Sequence, residues 1–206
     1  MIKKYFDSFK QFDKVTEFRI INSLFIAMGM ALLVPVIISL KGIYFAAWLI
    51  GAFSIVQTLT VKTNGYIVEN MSIRTMFRLG VYVHFAYIAM SLCYFWNPEL
   101  MLWADSILGI IEVALFSAFS ISLTNYMTDN FPKDMSKFQI VRNSTWADGY
   151  LTGLFIVTVV TYFGTIGHAV ILFIIFNIIF NYWMIKNWNI YNDIEYCCNP
   201  TLNHTK

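Results

Sequence analysis

The sequence predicts an all-α, polytopic membrane protein with six transmembrane helices, and three observations carry that prediction. Of 206 residues, 58% are hydrophobic and 13% charged, where a soluble domain holds roughly 25% charged residues. Mean hydropathy is +0.62. The apolar runs are apolar on every face, and they repeatedly reach the roughly 20 residues that cross a bilayer. A membrane barrel would instead show shorter segments of alternating polarity.

The elements follow in chain order. In residues 1–19, Tyr5, Phe9, Phe12 and Thr16 fall near one face, while Lys3, Lys10, Asp13, Lys14 and Glu17 fill much of the rest. That pattern predicts an amino-terminal amphipathic helix lying in the headgroup region, its lysines near anionic lipid. Six spans follow at 20–40, 42–61, 75–95, 101–126, 144–166 and 167–185, forming one transmembrane domain over 20–186. The joints at Lys41 and after Ile166 leave almost no loop, so the helices they join should be immediate neighbours. Pro35 should kink the first span. Trp96, Trp103, Trp146, Trp183 and Trp188 gather near span ends, as in an interfacial belt. Residues 187–206 turn polar and read as a cytosolic tail.

Positive charge orients the bundle. Of the 14 Lys and Arg residues, Lys41 alone falls on the side away from the termini. Both termini are therefore expected in the cytosol, with the chain in a plasma (inner) membrane. No cleavable signal peptide is expected. Cys93, Cys197 and Cys198 have neither metal spacing nor a paired framework. With no nucleotide-binding loop, nucleophile–base pair or metal cluster in view, neither an enzyme, a cofactor nor a nucleic-acid partner is expected.

Ionisable residues inside a span are costly enough to be candidate functional groups. Glu112 sits near the middle of span 4 and His84 near the middle of span 3. Glu112 is read either as a carrier of a proton or cationic substrate, or as a structural partner of His84 or Ser117. Asn177 and Asn181 share a face of span 6 and either line a cavity or bridge helices. Gln57 adds a polar group in span 2. Asp148 lies about a turn into span 5, where Arg74 or Arg142 could pair with it. Gly149 and Gly153 form a small-xxx-small step that admits a close neighbouring backbone.

Residues 64–78, "NGYIVENMSIRTMFR", place Glu69, Arg74 and Arg78 between long apolar runs. This stretch resembles the signature loop of the major facilitator superfamily, roughly G-x-x-x-D-x-x-G-R-[KR]. Gly65 matches the leading glycine, Glu69 the acid and Arg74 a basic position, while Ser72 and Ile73 replace the second glycine and first arginine. Residues 108–153 look like the family's span 4, cytosolic loop and span 5, through Gly109, Glu112, the Phe131-Pro132 step, Arg142, Gly149 and Gly153. The Glu112-Val113-Ala114 step with aromatic residues beyond it is similar to the folate and thiamine carrier branch. The resemblance covers about residues 20–186, the amino-terminal six-span half. It implies a half bundle whose gating loop uses Gly65, Glu69 and Arg74, and Asp148 and Arg142 stand with them at the same rim.

These readings converge on a half-size transporter of a small molecule, embedded in the lipid bilayer. It would pair with a second copy or another six-span half around a midplane cavity lined by Glu112, His84, Asn177 and Gln57. Two other functions stay open: an ABC-type permease subunit docking a separate ATPase, and a non-transport interaction protein such as an immunity or exclusion factor.

Overall fold

The computed structural model describes residues 9, 12–63, 71–133 and 135–192, and among them every regular element is helical. Five long helices follow one another: α1 (Lys14–Thr63), α2 (Ile73–Leu92), α3 (Pro98–Asn130), α4 (Met135–Phe163) and α5 (Ile166–Lys186). All five are long and apolar enough to cross a membrane. At 1.5 Å per residue, α2 rises about 30 Å and α3 about 50 Å.

Local chemistry sets the helix starts. The Asp13 carboxylate accepts from the backbone N–H of Val15 and Thr16 at 2.9 and 3.2 Å. Ser72 Oγ accepts from Thr75 N–H, and Asn97 Oδ1 accepts from Leu100 N–H with Pro98 opening α3. Each cap satisfies a donor that the first helical turn leaves unpaired. His168 closes a reciprocal capping box with Thr165 at the start of α5, which gives this histidine a structural role.

One glycine governs the shape of α1. Gly42 has φ 81° and ψ 172°, so it breaks the helix into two arms at a backbone conformation that side-chain-bearing residues avoid. Beyond it, Ala46 and Leu49 pack with Ile37 and with Leu102 of α3, and Leu33 and Phe53 close over the same cluster. The second arm thus returns along the first. A Cβ at Gly42 would meet nothing within 4 Å, so the constraint is backbone strain and not space. Gly42→Ala should therefore cost about 1–3 kcal/mol. Gly51→Ala, in an open helical position of the same element, should be neutral or stabilising. Melting curves of the two variants in detergent test this contrast.

The first arm of α1 is the centre of the bundle. The helix packs on α3, α4 and α5, and most extensively on α4. A Cβ on Gly149 would fall 2.3 Å from the Leu24 carbonyl oxygen, and one on Gly153 would fall 2.7 Å from that of Met28. The small-xxx-small step is thus where the α4 and α1 backbones touch. The short joint before α5 misleads by comparison. Gly164 and Thr165 alone separate α4 from α5, yet these two helices touch little, because α4 packs mainly on α1 and α5 divides its packing between α1 and α2.

Polarity is arranged inside out. Phe155 and Trp48 are 71% and 61% exposed, whereas Asp105 and Asn181 are 3% and 2% exposed. An exterior of this kind suits hydrocarbon, in which polar groups must find their partners inside the protein.

Residues 14–19, expected in an interfacial helix, instead continue α1, and Thr16, Phe18 and Arg19 are buried. Of the face expected to meet lipid, Phe9 and Thr16 are buried within the protein, and Phe18 outside that face is buried too. Phe18 stacks on Trp183 at 4.4 Å and meets Phe77 and Tyr191 edge-on. Trp188 lies under the Arg78 guanidinium at 5.1 Å, so two of the tryptophans assigned to a membrane belt serve packing. Arg19 sits over Phe116 at 4.5 Å and donates to Ser120 Oγ at 2.7 Å. Residues 187–192, the start of the expected free tail, form turns against this end, and Tyr191 is fully buried. Burial pushes its phenol pKa up, and nearby Arg19 pulls it the other way. The starts of α1 and α2 and the ends of α3 and α5 therefore share one end of the bundle. Lys41 pairs with Glu99 where α1 bends and α3 begins.

Candidate ligand cavity

The site grows from one stripe of α3. In "ADSILGIIE", residues 104–112, the spacing of Asp105, Gly109 and Glu112 at i, i+4 and i+7 puts all three on one helix face. That face borders a cavity of about 350 Å³ between α3, both arms of α1 and α4, with Tyr87 of α2 closing it. Cavities that hold small molecules begin near 300 Å³. Gly109 matters to the shape, because the Phe53 ring and the Tyr87 hydroxyl lie 2.7 and 3.1 Å from where its Cβ would be.

The two carboxylates differ in surroundings. Glu112 Oε1 lies 3.2 Å from His84 Nε2, an ion pair when the imidazole is protonated, with the side chains 20% and 10% exposed. The His84 ring is fixed edge-on against Phe180 at 4.9 Å. Asp105 has no such partner, and neither of its oxygens makes a hydrogen bond within the protein. The Ser91 hydroxyl lies within side-chain hydrogen-bonding range of this carboxyl, but the geometry makes no bond and that hydroxyl is also without a partner. Tyr87 is within reach of both acids. Ser106, beside Asp105, spends its hydroxyl on the Leu102 carbonyl at 2.7 Å.

Glu112 also borders two smaller voids of about 40 and 50 Å³, both walled by His84. Each has room for water. Asn177 lines the second of them, which brings it near the Glu112–His84 pair. Its amide nonetheless donates to the Phe173 carbonyl of its own helix at 2.9 Å, so it bridges no helices through that group.

The structure therefore joins Glu112, His84 and Asn177, as the sequence suggested, but places Glu112 alone of the three on the large cavity. That cavity lies within one chain, where the expectation set it between two bundles. Gly65, Glu69 and the side chain of Gln57 lie outside the described residues. Arg74 occupies the first turn of α2, Arg142 lies 5.8 Å from the Phe138 ring centre, and Asp148 precedes the α1 crossing at Gly149. None of these three borders the cavities described here. Asp105 is the residue that sequence reasoning missed. Its signal was the two-turn spacing to Glu112, hidden by its position near the expected end of a span.

The fold and this cavity define an all-helical bundle with membrane-length helices and an acidic internal chamber. Comparison with protein-family profiles, curated proteins and solved structures returns no match for this chain.

Proposed function

We propose that the chain is an integral membrane transporter of a small molecule, with the large cavity as its binding chamber. The single observation behind this reading is a cavity of about 350 Å³ walled by membrane-length helices and carrying two carboxylates. In this reading α1 crosses the bilayer twice, on either side of Gly42. That makes six crossings, with both termini on the cytosolic side of a plasma membrane. The proposal keeps the likeness to a major facilitator half, through Gly109, Glu112, Gly149 and Gly153. A second copy or another six-span half would complete the path. The chamber walls come from one chain, so ligand capture does not depend on that partner.

Alternating access makes a prediction that requires no known substrate. Ser106 and Ser117 both line the chamber, 11 positions apart on α3 and so about 16 Å apart along its axis. Ser106→Cys and Ser117→Cys, each made after replacing Cys93, Cys197 and Cys198, should react with a membrane-impermeant thiol reagent from either side of sealed vesicles. Labelling confined to one side, or seen from neither, would sink the transporter reading. One-sided labelling would favour a static binding or interaction protein.

A further inference from the structure

We propose that the chamber takes a small organic monocation with an apolar body, and that Asp105 is the group that anchors its charge. This rests on the cavity being a ligand chamber, and deepens that reading by naming the ligand class. Asp105 is 3% exposed, lines the cavity and has both carboxylate oxygens without a hydrogen-bond partner. A buried carboxylate in this condition is expensive, and proteins retain such groups when something pairs with them.

The described residues supply no such pair. Among the described residues that line the chamber, Asp105 and Glu112 are the acids, and there is no lysine, arginine or histidine. Glu112 already has His84 at 3.2 Å, just outside the chamber wall. One carboxylate is thus answered from within the protein and the other is left facing the void. A ligand with one positive charge would answer Asp105, while an anion would face two acids.

The rest of the wall selects an organic ion over a metal ion. A bare alkali or alkaline-earth ion needs about six oxygen ligands, and no group of three or more His, Cys, Asp or Glu side chains gathers among the described residues. The rest of the chamber wall is largely aromatic and aliphatic: Phe53, Tyr87, Trp146 and Tyr150, with Leu49 and Leu102. Ring faces attract a poorly hydrated ammonium group and repel an anion.

The test compares three probes of similar body and different charge by calorimetric titration of the purified full-length protein in detergent. They are benzyltrimethylammonium, neutral phenylacetamide and anionic phenylacetate. The cation should bind about tenfold to a hundredfold more tightly than the neutral probe, and phenylacetate should not bind. Asp105→Asn should erase the preference for the cation while eluting as a folded protein on size exclusion. Equal binding of cation and neutral probe, a preference that survives in Asp105→Asn, or no binding of the cation would overturn the proposal. The comparison on the unaltered protein stands even if the variant fails to fold. Thiol accessibility decides transport separately. Cation binding without two-sided labelling would leave this site intact and remove the transporter reading, and two-sided labelling without cation preference would do the reverse.

Discussion

Gly149→Leu yields little or no folded protein, because α4 cannot then reach α1. The position where its Cβ would sit is 2.3 Å from the Leu24 carbonyl oxygen, a backbone atom that no side-chain rotation can move. Overpacking of a core by a few methylenes costs about 1–3 kcal/mol when side chains give way. Here two helix backbones must part, and α4 loses its main packing surface. Even Gly149→Ala should lower the melting temperature measurably in detergent. Gly80→Ala on α2, where nothing lies within 4 Å of the new methyl, should not. Comparing fluorescence-detected elution of the three variants tests the crossing directly. Parent-like yield of Gly149→Leu would show that α1 and α4 do not meet there.

The second large effect is expected at His84. His84→Leu leaves Glu112 without its partner at the junction of three cavities. Breaking a buried ion pair by removing one member costs about 3–5 kcal/mol, whereas a hydrogen bond between membrane helices averages about 0.6 kcal/mol. The adjacent voids admit water and soften the penalty, so a loss of about 3 kcal/mol is expected. Glu112→Gln keeps an acceptor for the imidazole N–H and should cost under about 1 kcal/mol. Combining the two changes should restore much of what His84→Leu loses. Denaturant unfolding in mixed micelles measures all three. Equal small losses for both single variants would mean that the pair is a neutral hydrogen bond.

The helices were legible in the sequence because long uninterrupted apolar runs fit helices of membrane-crossing length. Their partners were not. His84 and Glu112 each stood out as a polar group in a span, but their meeting depends on how α2 and α3 are rotated about their own axes. Gly149 and Gly153 announced a close approach without naming Leu24 and Met28 as the other side. Residues 14–19 show a different limit. An aromatic stripe beside lysines reads the same whether its apolar face meets lipid or, as for Phe9, the core of the protein. Asp105 was passed over for a third reason. Its place near the end of a span gives no sign of burial, while the helix face it shares with Glu112 does.

The bend at Gly42 bears on how anything reaches the chamber. The second arm of α1 turns Ala46, Leu49 and Phe53 inward to the cavity and Ile43, Tyr44 and Trp48 outward. In a bilayer, a single helix on that flank would separate an acidic interior from the acyl chains. Swinging such a panel aside exchanges contact with protein hydrocarbon for contact with lipid hydrocarbon, a trade with almost no solvation cost. The threshold would then be set by a few interlocking side chains, such as Phe53 against Gly109, with the arm turning about Gly42. An amphiphile dissolved in the leaflet would face a side door in place of a mouth open to water.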